Sequence, residues 1–343
     1  MVRSGIGPRI AAQGFLCLIV MLLAACAPTV QSARSPLAAF EGPRFDVDGE
    51  RFHSFDGAEL GLSAWLPPKG QQPWAVIVGL HGMNDYGEAF FPAGPWFANR
   101  GIAVYAYDAR GFGRSPDRGV WAGQTLMTED LRTALAVAHR LHPQATLAIV
   151  GDSMGAATTI AAFASSDPPQ ADRVVLVAPA VWGWSELPNL YAMTLWAGAH
   201  TFPWRAVTPP RDVARRIIPS DNIEMLRRIG RDPNMLFRTR IDALYGLVNL
   251  METASESAGA VRGDVAFLFG ARDMIIPREA AQRAARALHP GARTALYANG
   301  YHMLLRDRQA ELVYGDILSF LTDPAAPFPS GAPPFRSVIQ ANR

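Results

Sequence analysis

Gly151-Asp152-Ser153-Met154-Gly155 has the pattern G-x-S-x-G. In that pattern a serine sits on a sharp strand-to-helix bend, and the flanking glycines keep bulk away from the bend. A serine held this way projects its Oγ clear of the backbone, and the N-terminus of the following helix favours negative charge beside it. Here the five residues follow an Ala-Ile-Val run and lead into an alanine-rich stretch, the context such a bend requires. The chemistry expected of Ser153 is nucleophilic attack on a carbonyl carbon.

A hydroxyl is a poor nucleophile at neutral pH, so Ser153 needs a base, and that base needs a carboxylate to fix its tautomer. His302, in Gly300-Tyr301-His302-Met303, lies between the last expected strand and the last expected helix. Asp273 lies in a loop directly after an expected strand. Other residues of these types are badly placed. His53 is in an N-terminal hairpin, His139 and His142 are on or after a helix, and His200 is in a long insertion. His289 and Asp264 precede strands, at the wrong edge, while Asp152, the variable residue of the bend, is assigned support rather than catalysis. The oxyanion of such a reaction needs two fixed donors. The backbone N–H of Met154 is one candidate, and that of Met83, in His81-Gly82-Met83, is the other, with His81 shaping the turn. The histidines are scattered and no H-E-x-x-H is present, so neither a metal site nor a cofactor is expected.

These residues need a scaffold that carries distant loops to one edge. Residues 75–80, 102–107, 145–150 and 174–177 are largely continuous apolar runs, as expected of strands buried on both faces of a parallel sheet. Helix-like stretches at 92–100, 129–141 and 154–164 lie between or after them, with Thr128 as the expected N-cap of the second. The alternation resumes with a strand at 265–269, a helix at 278–288, a strand at 294–297 and a helix at 308–321. Ser153, Asp273 and His302 then all follow the C-terminal ends of strands, where open α/β sheets build their sites. Upstream, 51–54 and 60–65 flank Asp56-Gly57 and are expected to pair as an antiparallel hairpin. Between 181 and 262 no strand-like run is evident; Trp182, Trp184, Trp196 and Trp204 accompany helical patterns at 222–229 and 241–251. This stretch is expected to form a helical cap between two parts of a core, 44–180 and 263–323. The proline-rich tail, 324–343, is expected to lack regular structure.

Residues 1–26 read as a targeting segment, with Arg3 and Arg9 ahead of an apolar run from Phe15 to Leu23. The run ends in Leu23-Ala24-Ala25-Cys26, which resembles a bacterial lipobox and makes Cys26 the expected lipidation site. Cys17, inside the run, is the only other cysteine, so a processed chain would have neither a disulfide nor a thiolate metal site. Ala27 after the cysteine points to the outer rather than the inner membrane, and 27–43, rich in Ala, Ser and Pro, reads as a flexible tether. The formal net charge of +2 is too small, and the arginines too dispersed, to argue for nucleic acid.

Five segments occur in order: H-G-M-N-D-Y-G-E at 81–88, Y-D-A-R-G-F-G-R-S at 107–115, G-D-S-M-G at 151–155, G-A-R-D-M-I-I-P at 270–277 and Y-A-N-G-Y-H-M-L-L at 297–305. Together they resemble the monoacylglycerol lipase and lysophospholipase-like branch of the α/β-hydrolases, also labelled serine aminopeptidase-like. The resemblance implies a mostly parallel eight-stranded sheet covered by helices on both faces, with a lid over an acyl-binding pocket. It also implies Ser153, Asp273 and His302 as a catalytic triad and Met83 and Met154 as the oxyanion hole. Asp85 departs from the glutamate that loop often carries. The function expected is hydrolysis of monoacylglycerol, lysophospholipid or a similar single-chain ester by a lipid-anchored envelope enzyme. A peptidase or amidase is the rival enzyme reading; it needs a charged subsite for an amine, for which Glu186, Asp212 and Glu224 are candidates. A non-catalytic envelope lipoprotein is the third reading, and loss of a triad residue would have favoured it.

Overall fold

The computed structural model describes residues 27–336. The targeting segment, Cys26 with it, and residues 337–343 lie outside the described residues. The chain opens with three antiparallel strands, β1 (Arg44–Asp46), β2 (Arg51–His53) and β3 (Glu59–Trp65). There follow β4 (Ala75–Leu80), α1 (Ala93–Ala98), β5 (Ile102–Tyr107), α2 (Gly123–Leu141), β6 (Thr146–Asp152), α3 (Met154–Phe163) and β7 (Arg173–Val177). The insertion holds α4 (Asn189–Thr201), β8 (Ala206–Val207), α5 (Arg211–Arg216), α6 (Ile223–Ile229), β9 (Thr239–Arg240) and α7 (Ile241–Ser257). The core then resumes with β10 (Asp264–Gly270), α8 (Arg278–Ala287), β11 (Arg293–Tyr297) and α9 (Ala310–Thr322).

The main sheet has nine strands in the order β1-β2-β3-β5-β4-β6-β7-β10-β11, parallel from β5 to β11. The count exceeds the expected eight by one. The three-residue β1, which pairs Phe45 with Phe52, is too short to leave a periodic mark in the sequence. Because successive strand residues face opposite sides, the apolar runs feed two cores. Val76, Val78, Ile149 and Phe267 pack on one face with residues of α2 and α3, while Ile77, Val104, Val150 and Leu268 pack on the other with residues of α1 and α9.

Three local expectations need correction. Thr128 does not cap α2; the helix begins at Gly123, and Thr128 Oγ1 donates to the Thr125 carbonyl inside it. Leu126 and Met127 are buried, so the apolar face that holds the helix starts before Thr128. The insertion is not wholly helical, since β8 and β9 pair antiparallel. The segment read as a tether lies against the body at Gln31 and Arg34. Gln31 N–H donates to the Trp121 carbonyl at 2.9 Å and its Nε2 to the Val120 carbonyl at 2.7 Å, while Arg34 N–H donates to Asp56 Oδ2 at 2.7 Å. The proline-rich tail has neither helix nor strand up to Arg336, as expected, yet it is docked. Phe335 is fully buried, stacked on Phe269 with centroids 4.9 Å apart. Arg336 donates to the Ala285 and Leu288 carbonyls, satisfying acceptors that the C-terminal end of α8 leaves open.

Candidate active site

Ser153 joins β6 to α3 at φ +52°, ψ −110°, a conformation that costs an L-residue on the order of 1–3 kcal/mol and persists only where the surroundings impose it. The imposition is visible. Ser153 N–H donates to the Val177 carbonyl at 2.9 Å, and its own carbonyl accepts from Ala157 and Ala180 N–H at 3.0 and 3.1 Å. A Cβ on Gly155 would run into the Leu80 carbonyl oxygen, and one on Gly151 would lie 2.7 Å from Ala156 N. Gly155 is therefore required by the close approach of β4 to α3, and Gly151 by the tight passage from β6 into α3.

His302 Nε2 lies 3.0 Å from Ser153 Oγ, and His302 Nδ1 lies 2.8 Å from Asp273 Oδ2. Asp273 has no exposed side-chain surface, and its other oxygen accepts the N–H groups of Ile275 and Ile276 at 2.8 and 3.0 Å. Held by two backbone donors, this carboxylate fixes the proton on Nδ1 and leaves Nε2 to accept from the serine hydroxyl. Burial pulls the His302 imidazolium towards deprotonation. The charge and hydrogen bond of Asp273 outweigh it, so the net shift is upward from the ordinary value.

Gly82 runs alongside Ser153; a Cβ there would lie 3.3 Å from Ser153 Cβ. His81 is fully buried, and its Nε2 accepts the Ala109 N–H at 2.9 Å. The ring proton therefore lies on Nδ1 and is donated to the Gly82 carbonyl at 2.7 Å. Burial lowers the pKa of His81 and keeps the ring neutral. In a trans peptide the carbonyl and the following N–H point opposite ways. Clamping the Gly82 carbonyl thus fixes the direction of the Met83 N–H. Met154 opens α3, where N–H groups lack helical partners. Neither the Met83 nor the Met154 N–H donates a hydrogen bond among the described residues.

Ser153 and His302 open into a cavity of about 260 Å³. Its apolar lining comes from Met83, Ala180, Trp182, Leu247, Met251 and Ile275, among others, while Asp85, Asp152 and Arg306 bring charge. Arg306 pairs with Asp85 in the interior. Asp152 is raised to about 6, first by burial; Arg306 and His302 oppose the rise, and Asp85 and Asp273 add to it. The cavity lies beneath α7 of the insertion, which contributes Leu247 and Met251. A wider cleft of about 570 Å³, lined by His139, Asp172 and Arg262, lies where the strands begin and contains none of these groups.

The three candidates for an amine subsite do not reach the cavity. Glu186 pairs with Arg283 of α8, Asp212 is exposed on α5, and Glu224 lines a separate hollow beside Arg308 and Glu311. Sequence reasoning missed the supports of the His302 loop. Asp307, raised by burial to about 6, accepts Tyr301 N–H at 2.7 Å and Ser220 Oγ at 2.6 Å, and Met303 N–H donates to the Pro219 carbonyl at 2.9 Å. Ser220 belongs to the insertion, so nothing local to either segment announces the contact.

A mostly parallel sheet with helices on both faces, and a serine elbow at the strand ends, define an α/β-hydrolase. Residues 71–309 match the family described as serine aminopeptidase, S33 (Hydrolase_4), and the chain belongs to that family of hydrolases. It is 23% identical over 287 residues to a monoacylglycerol lipase of Mycolicibacterium smegmatis, covering 78% of this chain and 96% of the relative. Among solved structures, a Paleococcus ferrophilus monoacylglycerol lipase matches with a TM-score of 0.62 at 21% identity, over 78% of this chain and 99% of that one. A soluble variant of monoglyceride lipase from Saccharomyces cerevisiae, solved with a substrate analogue, matches with a TM-score of 0.67 at 14% identity, over 88% and 100% of the two chains.

Proposed function

We propose that the protein is a serine carboxylic ester hydrolase acting on monoacylglycerol, lysophospholipid or similar single-acyl-chain esters through an acyl-enzyme. The observation that carries the reading is the hydrogen-bonded series Ser153–His302–Asp273 opening into a cavity with an apolar wall. The names of the Mycolicibacterium and Paleococcus relatives support it. In this mechanism His302 Nε2 takes the Ser153 proton as Oγ attacks the ester carbonyl. The N–H groups of Met83 and Met154 hold the resulting oxyanion, and His302 returns the proton to the leaving alcohol oxygen. Water, deprotonated by the same imidazole, then attacks the acyl-serine; the acid leaves and Oγ recovers its proton.

In the same reading the insertion is a lid, and Cys26 carries a diacylglycerol anchor that holds the enzyme at the bacterial envelope, on the outer rather than the inner membrane. Leu23-Ala24-Ala25-Cys26 and the following Ala27 support the anchor. Gln31, where the chain is bonded to the body, is five residue steps from Cys26, which allows a reach of at most about 18 Å. The body would then work close to the lipid surface.

The test is labelling of the mature protein by a fluorophosphonate probe, beside Ser153→Ala, followed by p-nitrophenyl esters of increasing chain length. Labelling lost in the variant, with turnover on at least one ester, is the expected result. A folded wild-type protein that takes no label overturns the reading. Mass spectrometry of the membrane-extracted protein checks the anchor, which requires acylated Cys26 as the first residue.

A further inference from the structure

The mechanism above leaves one buried charge of the cavity without a task. Asp152 is 5% exposed, and its Oδ1 is enclosed with no hydrogen-bond partner among the described residues. Its side chain lines the cavity together with Ser153, His302 and Arg306. Buried carboxylates are nearly always paired or hydrogen-bonded, because an unpartnered one forfeits its hydration. Oδ2 likewise accepts no hydrogen bond among the described residues, and because the side chain lines the cavity beside Ser153, Oδ2 rather than the enclosed Oδ1 is the oxygen that a ligand group completes.

The other charges of the cavity are accounted for within the protein. Arg306 is held by Asp85, and Asp273 is held by His302 and two backbone donors. Asp152 is the carboxylate left over, and with a pKa of about 6 it is charged at neutral pH. Its electrostatic neighbours are Arg306, His302, Asp85 and Asp273, so it belongs to the polar group gathered around the imidazole. His302 must hand its proton to the leaving oxygen, which places the alcohol portion of an ester, rather than the acyl chain, beside that group. The acyl chain is left with Trp182, Leu247, Met251 and Ile275.

Resting on the ester-hydrolase reading, we propose that Asp152 selects the leaving alcohol: its carboxylate accepts hydrogen bonds from the free hydroxyls of a neutral polyol and repels alcohols that carry phosphate. The substrate class is thereby narrowed to acyl esters of glycerol-like alcohols. A phosphate in the same place would meet the Asp152 carboxylate, which makes no hydrogen bond to the nearby Arg306, while Arg306 Nη2 is already engaged by Asp85.

The test compares wild type with Asp152→Asn on three esters of one short acid, all below their aggregation limits: the 1-monoacylglycerol, the methyl ester and the 1-acylglycerol 3-phosphate. In wild type, kcat/KM should fall in that order. In Asp152→Asn the glyceryl-to-methyl ratio should drop, and the phosphate-to-methyl ratio rise, by about tenfold each. Ratios that stay fixed while all three rates fall together would assign Asp152 to His302 or to the fold and overturn the proposal. Inhibition of wild-type methyl ester hydrolysis keeps the question open to test if the variant does not fold. Glycerol should compete, glycerol 3-phosphate should not at the same concentration, and the reverse order overturns the proposal. A wild-type enzyme that cleaves all three esters equally well refutes the selection alone. A wild type inert on all three refutes the ester-hydrolase reading and the selection with it.

Discussion

The sheet body and the insertion treat polar and apolar side chains in opposite ways. In the body a charged network is buried and matched around Arg110. Arg110 is 2% exposed and donates to both oxygens of Asp56 and both oxygens of Asp130, while Ser54 Oγ donates to Asp130 at 2.5 Å. In the insertion, large apolar side chains face outwards: Leu190, Tyr191, Met193 and Trp196 of α4 are each more than half exposed, as are Phe202 and Trp204 just beyond it. A patch of this kind on a protein surface marks contact with something apolar outside the chain. The body's sequence answers to its own interior, whereas the insertion's sequence also turns an apolar surface outwards.

The sharpest way to break this comparison is to remove one matched group from the body. Ser153→Ala should lower kcat on a soluble p-nitrophenyl ester by about 10⁴-fold or more while leaving the thermal melting profile unchanged. Asp273→Asn should cost about 10⁴-fold by mispresenting the imidazole tautomer. Retention of full activity in either variant would remove these residues from the chemistry. Arg110→Met should act through the fold instead. It leaves Asp56 and Asp130 buried with no cation between them, a loss of about 3–5 kcal/mol. A denaturant midpoint no lower than that of wild type would show that the buried network carries no such stabilisation.

The same contrast explains what could be read in advance. The elbow is local: two glycines, a serine, a strand before and a helix after, all within one stretch of chain. Asp273 and His302 were legible because each follows an apolar run, and a parallel sheet gathers such positions at one edge. The pairing of Asp85 with Arg306 spans 221 residues, and that of Ser220 with Asp307 spans 87. Their partners are set by tertiary packing, and neither segment carries a periodic signal for it. The tail misled for a related reason. Its prolines do exclude helix and strand, yet Phe335 docks it on Phe267 and Phe269, and Ser330 and Arg336 bond it to the body. Composition reports what a segment cannot form and is silent on where it binds. Asp152 was assigned support from its place in the motif, but its missing hydrogen-bond partner could be seen only in three dimensions.

A smaller effect tests the electrostatics of the body. His302 must be neutral to act as base, and the Asp273 carboxylate raises its pKa above the ordinary value of 6.5 against the opposing effect of burial. Activity on a soluble ester should therefore be complete well above that raised pKa and fall as the pH drops through it. In Asp273→Asn the residual activity should persist to lower pH, because the group that raised the pKa is gone. A pH–rate profile for kcat/KM decides this; an acid limb unchanged in the variant would mean that Asp273 does not set the imidazole's charge.

The mildest perturbation belongs to the insertion. Leu190→Ser with Trp196→Ser replaces two outward-facing apolar groups, 69% and 55% exposed, that contribute little to the interior. The stability change should stay within about 0.5 kcal/mol, as for surface sites in general. Hydrolysis of a short soluble ester should hardly change, since neither residue lines the cavity at Ser153. Hydrolysis of a long-chain ester presented in micelles or vesicles should fall several-fold, on the order of the 1.5–3 kcal/mol that burying one such side chain contributes, reduced by incomplete insertion. If the double variant instead lowers both rates alike, the helix supports the site through packing. If it lowers neither, the outward apolar surface serves something other than the substrate interface. Only a loss confined to aggregated substrate fits an insertion whose sequence is shaped from outside the chain.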